Sequence, residues 1–581
     1  MITEIETFSL PISYLDDNIR LEEHLINDLE LKSKDDENKS LYEYIFNPGE
    51  ITFAQKTIPL WSEYYTSNKQ FIKESQKLIT SKLPKLPKID ISNNYIKVQE
   101  IWKEIVAETS FEEKYQYLDW KWLSPLNNNS NFLQCMSLYN ITSPVISLAL
   151  PIFLLIIPFF LLKLQGISIT MNTYIDVLKQ LFQRHQLGQI LSVGSASWEK
   201  RVYILVTCIF YIMQVYQNVS SCIKFGKNMK KLHEQIFVMR DYADETIKRM
   251  DSLELCCKNL KTYNPFIEEL QQKRHILTVM RDDFNKVSPN ELSFGKIFQV
   301  GHLLKCFYQL YNRQPYHDAL NYSFGFNGYI HNLSMLKKMV LDGHISKCKL
   351  SNKTTKFKNA YFPTLIHKIP VKNSYTLDTN ILITGPNAAG KTTMLKTTIF
   401  NILFSQQTGF GCYDSAVLAP FDKIHCYINI PDTSGRDSLF QAEARRCKNI
   451  LNDIENTESN SKIDENTQFR HFCVFDELYS GTNPYEAIGS ATSYLKYLNK
   501  YNNVTYMITT HFIDLCNRLD KEKNVLNCHM KINNNGDNFN YTYKLDKGVS
   551  NIKGGIKVLQ DLEYPNEIII ETKKIINELI I

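Results

Sequence analysis

Residues 381 to 398 read ILITGPNAAGKTTMLKTT, an apolar strand, a glycine-bounded turn and the opening of a helix. Gly385 to Thr392 matches G-x-x-x-x-G-K-[ST] in the context that pattern needs, with NILIT before it and TTMLKTTIFNILF after it. Amides at a helix N-terminus favour phosphate oxygens. Lys391 is placed to reach the β and γ oxygens, and the Thr392 hydroxyl to ligate magnesium. Gly385, Pro386, Asn387, Ala388, Ala389, Gly390, Lys391, Thr392 and Thr393 are therefore expected to hold ATP with Mg2+.

Downstream, HFCVFDELYSGTNPYEA gives a strand ending in adjacent carboxylates, Asp476 and Glu477. An Asp at a strand end can hold magnesium with Thr392, and the neighbouring Glu can take a proton from the attacking water. Next, VTYMITTHF is another apolar strand, ending at Thr510 and His511, where a histidine can sense the γ-phosphate. Alone, the acidic pair reads as an exposed strand end and the histidine as a structural residue; the loop upstream gives both a nucleotide to face.

Three strands ending in a P-loop, DE and TTH, with DELxxGTxPxEA after the carboxylates, resemble the ATPase domain of the MutS family of DNA mismatch-repair and recombination proteins. SLFQAEARRCKNIL matches the family's S-T-F-x-x-E stretch, with Ser438, Phe440 and Glu443 in place and Leu439 for threonine. Ser438 followed by Gln441 is also a capping box, putting the serine at a helix N-terminus. The resemblance implies that Ser438 acts in trans on the ATP of the opposite subunit, hence a homodimer or a pairing with a related MutS-like subunit. It also implies that His529, in NCHM, packs on adenine, and that YKLDKGVSNIKGGIKVLQDLEYPNEII is the closing C-terminal segment. It covers roughly residues 360 to 575 and implies ATP hydrolysis, dimer closure and association with DNA.

The departures are specific. GPNAAGKT carries Ala389 where the family usually has Gly. Pro370 stands where an aromatic residue for the base is expected, three residues before Asn373. ENTESNSKIDENTQ is expected to be an inserted surface loop, and NNNSN and INNNGDNFN are polar loops by composition. Phe-x-Glu, the family's mismatch wedge, occurs at Phe111 to Glu113 and Phe266 to Glu268. With 32 Phe about two chance matches are expected, and neither is taken as a mismatch reader.

At 581 residues the chain is expected to hold two to four folding units. The net charge of +5, from 66 Lys and Arg against 61 Asp and Glu, is too small to mark a nucleic-acid binder by itself. Thirteen cysteines without C-x-x-C pairs suit reduced thiols in a cytosol-like compartment and disfavour zinc. The N-terminus lacks the pattern of a secretory signal.

Upstream, residues 1–120 form a helical region, 121–223 an apolar region, 224–345 a helical lever or core-like domain, and 346–581 the ATPase domain. From Trp122 to Leu162 there is no Asp, Glu, Lys or Arg, and 144–162 is nearly pure hydrocarbon. A second uncharged run spans 202–223. Each is long enough to cross a bilayer, and Pro144, Pro151 and Pro158 are costly in a soluble helix. The pair is either a transmembrane hairpin or two buried core helices. Lys163, Lys179, Arg184, Lys200 and Arg201 between the runs, and Lys224, Lys227, Lys230 and Lys231 after them, leave the orientation open, although ATP requires the ATPase domain to face the cytosol.

The expected fold is thus an α/β P-loop NTPase domain of the ABC/MutS type, preceded by mainly α-helical domains with an apolar helical hairpin. The alternative function is a membrane-anchored mechanical ATPase acting on a lipid or protein partner without mismatch recognition. A transporter of the ABC type is disfavoured, because L-S-G-G-Q is absent and two segments make a poor pathway.

Overall fold

The computed structural model describes the chain apart from residues 1–6, 34–38, 50–51, 83–93, 108–110, 165, 167–169, 171, 173, 177–178, 181–196, 289–298, 429, 431–437, 462–468, 536–537, 551–555, 557–558, 561 and 579–581. Arg184, the end of the expected insertion loop and part of the closing segment lie outside the described residues.

The chain divides into two units, neither continuous in sequence. The larger comprises Ile5–Ile89, Arg249–Gln272 and Asn321–Ile581, the smaller Met1–Glu4, Asp90–Lys248 and Lys273–Leu320. The described residues up to Lys82 group with the C-terminal α/β region.

Side-chain amides explain that attachment. Gln406 donates to the Thr66 and Phe421 carbonyls, and Gln407 to the carbonyls of Trp61 and Tyr64. Gln76 reciprocates, donating to the Cys348 and Gly409 carbonyls. All three glutamines are buried, where losing one such bond strands a carbonyl at a cost of about 1–3 kcal/mol.

The larger unit holds strands β1 (Asn18–Arg20), β2 (Tyr64–Thr66), β3 (Ser346–Leu350), β4 (Lys356–Ala360), β5 (Asn373–Thr376), β6 (Asn380–Thr384), β7 (Phe410–Gly411), β8 (Ser415–Leu418), β9 (Lys423–Tyr427), β10 (His471–Asp476), β11 (Val504–Thr510), β12 (Val525–Asn535) and β13 (Asn538–Lys547). Its main sheet runs β13-β12-β6-β11-β10-β9, and a five-stranded sheet runs β5-β4-β8-β3-β7. In the main sheet β9, β10, β11, β6 and β12 are parallel, and β13 closes the edge antiparallel to β12. Parallel strands are covered on both faces, which is why NILIT and HFCVF are mainly apolar and buried at every residue, with only Asp476 at the end of β10 half-buried. The runs expected to be strands are β6, β10 and β11, whose carboxyl ends lie side by side.

Two expected loops are replaced by regular structure. INNNGDNFN joins β12 to β13, with Asn533 paired to Asn540 and Asn535 to Asn538, so ladder pairing overrides the poor strand propensity of asparagine. The first part of ENTESNSKIDENTQ continues the helix Leu439–Ser461. There Glu455 accepts from the Tyr497 hydroxyl and Glu458 from the Asn503 amide. In NNNSN, Asn129 caps the next helix, its side chain accepting from the amides of Asn131 and Phe132.

Both Phe-x-Glu phenylalanines are core residues. Phe111 stacks on Tyr311 with centroids 4.5 Å apart, and Phe266 packs edge-on against Phe8 and Tyr329. Neither presents a ring to solvent. Among the described residues the 13 cysteines form no disulfide.

His425 on β9 and His471 on β10 stack with centroids 5.4 Å apart and a ring nitrogen of each 3.1 Å from the other. Thr457 Oγ, already donating to backbone carbonyls, lies 2.8 Å from His471 Nε2. Burial pushes the imidazoles down to about 3 and about 4, helped by Lys423 beside both and Arg446 beside His425. Glu22 and Asp453 each bring a carboxylate oxygen within 4.8 Å of a His425 ring nitrogen, without lifting it to its ordinary value. The unfolded chain therefore binds protons that the folded one refuses. Stability should fall as pH drops from about 6.5 towards about 4, by at most about 1.4 kcal/mol per pH unit for each ring. Denaturation midpoints across that window, compared with a His425→Gln, His471→Asn variant, should show a shallower slope for the variant.

In the smaller unit, the helix Ser130–Leu164 contains the first apolar run, and the part of the helix Trp198–Cys257 up to Lys248 contains the second. Gly301 allows close crossing, since a Cβ there would sit 2.3 Å from the Ser130 carbonyl oxygen. Among the described residues, one helical segment, within Arg201–Cys257, is long and apolar enough to cross a membrane.

Candidate nucleotide site

The turn after β6 works because of its backbone. Gly390, at φ +91°, opens the helix Lys391–Thr408, and a Cβ there would meet the Tyr543 ring at 3.1 Å. Gly385 lies under Met530, whose Cβ is 3.3 Å from the position a Cβ would take. Ala388, Glu477, Tyr479 and Tyr543 all hold left-handed backbones without being glycine, a strain of about 1 kcal/mol or more each that collects around functional sites.

Lys391 is almost fully buried and folds back, its ammonium 3.2 Å from the Pro386 carbonyl, 3.1 Å from His511 Nε2 and 3.7 Å from Glu477. Burial lowers its pKa, partly opposed by the charges of Glu477 and Asp476. Glu477, at the end of β10, lies 2.9 Å from His511 Nε2. The His511 hydrogen bond, then the His511 and Lys391 charges, hold its carboxyl below the usual range. His511 Nε2 serves one partner at a time: with a proton it donates to Glu477, without one it accepts from Lys391.

Thr392 donates to Asp476 Oδ2 at 2.7 Å, and the Thr509 hydroxyl donates to the other carboxylate oxygen. Thr392 Oγ and Asp476 Oδ2 are hard oxygen donors at the spacing of neighbouring ligands around a small divalent cation. The pair fits magnesium.

The cleft over this floor has a volume of about 680 Å³ and includes Asn387, Ala388, Thr393 and Glu477 in its lining, a size suited to a nucleotide-sized ligand. Its far wall is Phe362, Ile369, Val371, Met530 and Tyr543. His529, expected to pack on the base, is not in that wall. Met530 next to it is, and consecutive strand residues face opposite ways. Among the described residues, the buried Nδ1 of His529 has no hydrogen-bond partner. Asn373 fixes Tyr543 by donating to its carbonyl at 3.0 Å and accepting from the Leu545 amide. Tyr543 was not visible as a site residue in the sequence, because it arrives on the hairpin strand β13. An aromatic residue two positions along a strand from a backbone-pinned Leu545 carries no local signal.

Ser438 caps its helix as expected: its amide donates to the Gln441 side chain at 3.1 Å, and its Oγ accepts from the Gln441 amide at 3.3 Å. It is exposed and does not line the cleft of its own chain. Glu443, one turn on, is buried and accepts from Ser480 Oγ and the Gly481 amide. The Ser438 helix is thereby bonded to the loop after Asp476 and Glu477.

Gly481 makes the approach possible, since a Cβ would lie 2.7 Å from Leu439 Cγ and 2.9 Å from the Phe440 nitrogen. Gly481→Ala should lower stability by about 1–3 kcal/mol and slow ATP turnover. Gly489→Ala, in the helix Pro484–Leu498 with open space around it, should raise stability by about 0.5–1 kcal/mol. Thermal unfolding of the two variants should move in opposite directions.

Residues 381–580 match the family model of MutS domain V. A DNA mismatch repair protein MutS from Orientia tsutsugamushi is 29% identical over 203 residues, covering 34% of this chain and 21% of that protein. An endonuclease MutS2 from Staphylococcus carnosus is 28% identical over 234 residues, 39% of this chain and 28% of that protein. The chain thus spans between about a fifth and a third of the length of these relatives.

Proposed function

We infer that this chain, whose residues 381–580 form a MutS-like ATPase domain, binds and hydrolyses ATP, closes two such domains on each other as it does so, and acts on DNA. The observation that supports this best is the chain of contacts that joins Lys391, Thr392, Asp476, Glu477 and His511, at the start of one helix and the ends of two strands, with Lys391, Thr392 and Glu477 lining the cleft. An incoming phosphate offers Lys391 a stronger acceptor than the Pro386 carbonyl. Moving towards it loosens Lys391 from Glu477. Glu477 is then an ionised carboxylate oriented by His511, able to take a proton from water. Magnesium, held by Thr392 and Asp476, would neutralise phosphate charge. Phe362 and Tyr543 would flank the base.

Ser438 supports the paired arrangement, because its hydroxyl sits exposed at a helix N-terminus outside its own cleft. The DNA part of the reading rests on the relatives, which are named for DNA mismatch repair. Ser438→Ala and Lys391→Ala should each lose turnover alone. Mixed in equal amounts, they should recover roughly a quarter of the wild-type rate, since half of randomly formed dimers then hold one intact composite site. No recovery, with dimers present, would contradict the shared site.

A further inference from the structure

The two apolar helices of the smaller unit run antiparallel, as two cross-helix bonds require: Tyr211 donates to the Ser147 carbonyl at 3.4 Å, and the Cys222 thiol to that of Ile141 at 3.5 Å. Ile204 is buried, but the opposite face is apolar too. Leu205, Ile209, Phe210 and Ile212 are 49 to 65% exposed, and Val145 and Leu148 on the other helix 66% and 55%. Only 6% of the most apolar window of the second helix is buried. A helix apolar on every face belongs in a protein core or in hydrocarbon, and no core surrounds this one among the described residues.

The backbone is arranged for a dry setting. Pro144 and Pro151 cannot donate to the carbonyls four residues back, Asn140 and Ser147. Among the described residues, both freed carbonyls accept hydroxyls instead, Asn140 from Ser143 at 3.2 Å and Ser147 from Tyr211. Water would do this for an exposed helix; hydrocarbon requires the protein to do it. Val202 to Ile223, uncharged throughout, rises about 33 Å, against a hydrocarbon core of about 30 Å. Trp198 and Tyr203 stand exposed at one end with Lys163 and Arg201, and Tyr139 and Tyr216 at the other with Lys224 and Lys227. Amphipathic aromatics and lysines at both ends fit the two headgroup layers.

We propose that residues 144–162 and 202–223 form a helical hairpin that spans a lipid bilayer, with the start of its first helix and the end of its second on the same side. The face turned away from the partner helix is covered by acyl chains rather than by a second copy of the chain. The lysines after Ile223 anchor it at the headgroups. This goes beyond the ATPase reading and does not depend on it.

The test uses the full chain, purified in detergent and reconstituted with vesicles of phosphatidylcholine and phosphatidylglycerol, then floated on a density gradient. The chain should float and stay with the vesicles through alkaline carbonate and about 1 M salt, where charge attraction is screened beyond about 3 Å. Ile209→Arg, outward-facing near mid-span, should lower the vesicle partition constant on the order of a hundredfold, and Leu148→Arg, outward-facing nearer the headgroups, should lower it by less. Retained nucleotide binding would certify that these variants are folded. Release of the wild-type chain by salt or carbonate would overturn the span. So would a detergent-free soluble chain, whether monomeric or as an oligomer that shields the hairpin, or arginine variants that float like wild type. Lys391→Ala should float normally whatever its turnover, which separates failure of the anchor from failure of the ATPase.

Discussion

Glu477→Gln should bind ATP as the wild type does and hydrolyse it about 10²–10⁴-fold more slowly, the usual contribution of a positioned general base. The carboxylate sits where β10 ends, on a left-handed backbone that turns its side chain towards His511 and Lys391. Its amide is held by the carbonyl and hydroxyl of Thr509, so the amide side chain of Gln will occupy the same place. Because His511 and Lys391 hold the carboxyl below its ordinary range, it remains ionised at neutral pH, and the substitution removes the proton acceptor. A chain that binds ATP without turning it over should also accumulate as the closed dimer. Single-turnover phosphate release read beside solution mass with ATP checks both parts. A variant hydrolysing at the wild-type rate would remove Glu477 from the role.

Lys391→Ala should weaken ATP binding at least about thirtyfold, corresponding to about 2 kcal/mol or more for a lost charge-assisted contact to phosphate. The change also leaves the Pro386 carbonyl without its donor and takes the nearby cation from Glu477. Lys391→Arg should not rescue. The ammonium is buried among Pro386, His511 and Glu477, and a planar guanidinium does not fit a point-charge site. Equilibrium binding of a fluorescent ATP analogue would measure the loss. Unaltered affinity would place the phosphates elsewhere.

The grouping of Lys391, Thr392, Asp476, Glu477 and His511 was legible in the sequence because each piece carries its own local signal: a glycine-bounded turn before a helix, two acids ending one apolar strand, a histidine ending another. Sheet order brings them together, with β11 between β6 and β10, so three strand ends meet as the motif requires. Ser438 was legible as a cap because its partner is three residues away. What stayed hidden depends on distant partners. Residues 5–89 join the ATPase region through Gln406, Gln407 and Gln76, which reach carbonyls 272 to 346 positions away. No periodicity announces such bonds. The wall of the cleft was hidden for the same reason. Tyr543 and Met530 face it through the pairing of β12 with β13, whereas His529, chosen from resemblance alone, occupies the other face of the same strand.

The apolar hairpin shows where a sequence pattern stops short. Length and lack of charge suited either a core or a bilayer, and both readings predict helices. The proposed span rests instead on exposure of the outward face and on hydroxyls bonded to the carbonyls that Pro144 and Pro151 leave open.

ATP hydrolysis by residues 381–580 with the residues named is the proposed activity. Phosphate release by the purified full chain near neutral pH, with and without magnesium and beside Lys391→Ala, tests it most directly. Turnover should depend on magnesium and be abolished by Lys391→Ala. Absence of turnover in a wild-type chain that binds ATP and is paired, or equal rates in wild type and Lys391→Ala, would contradict it.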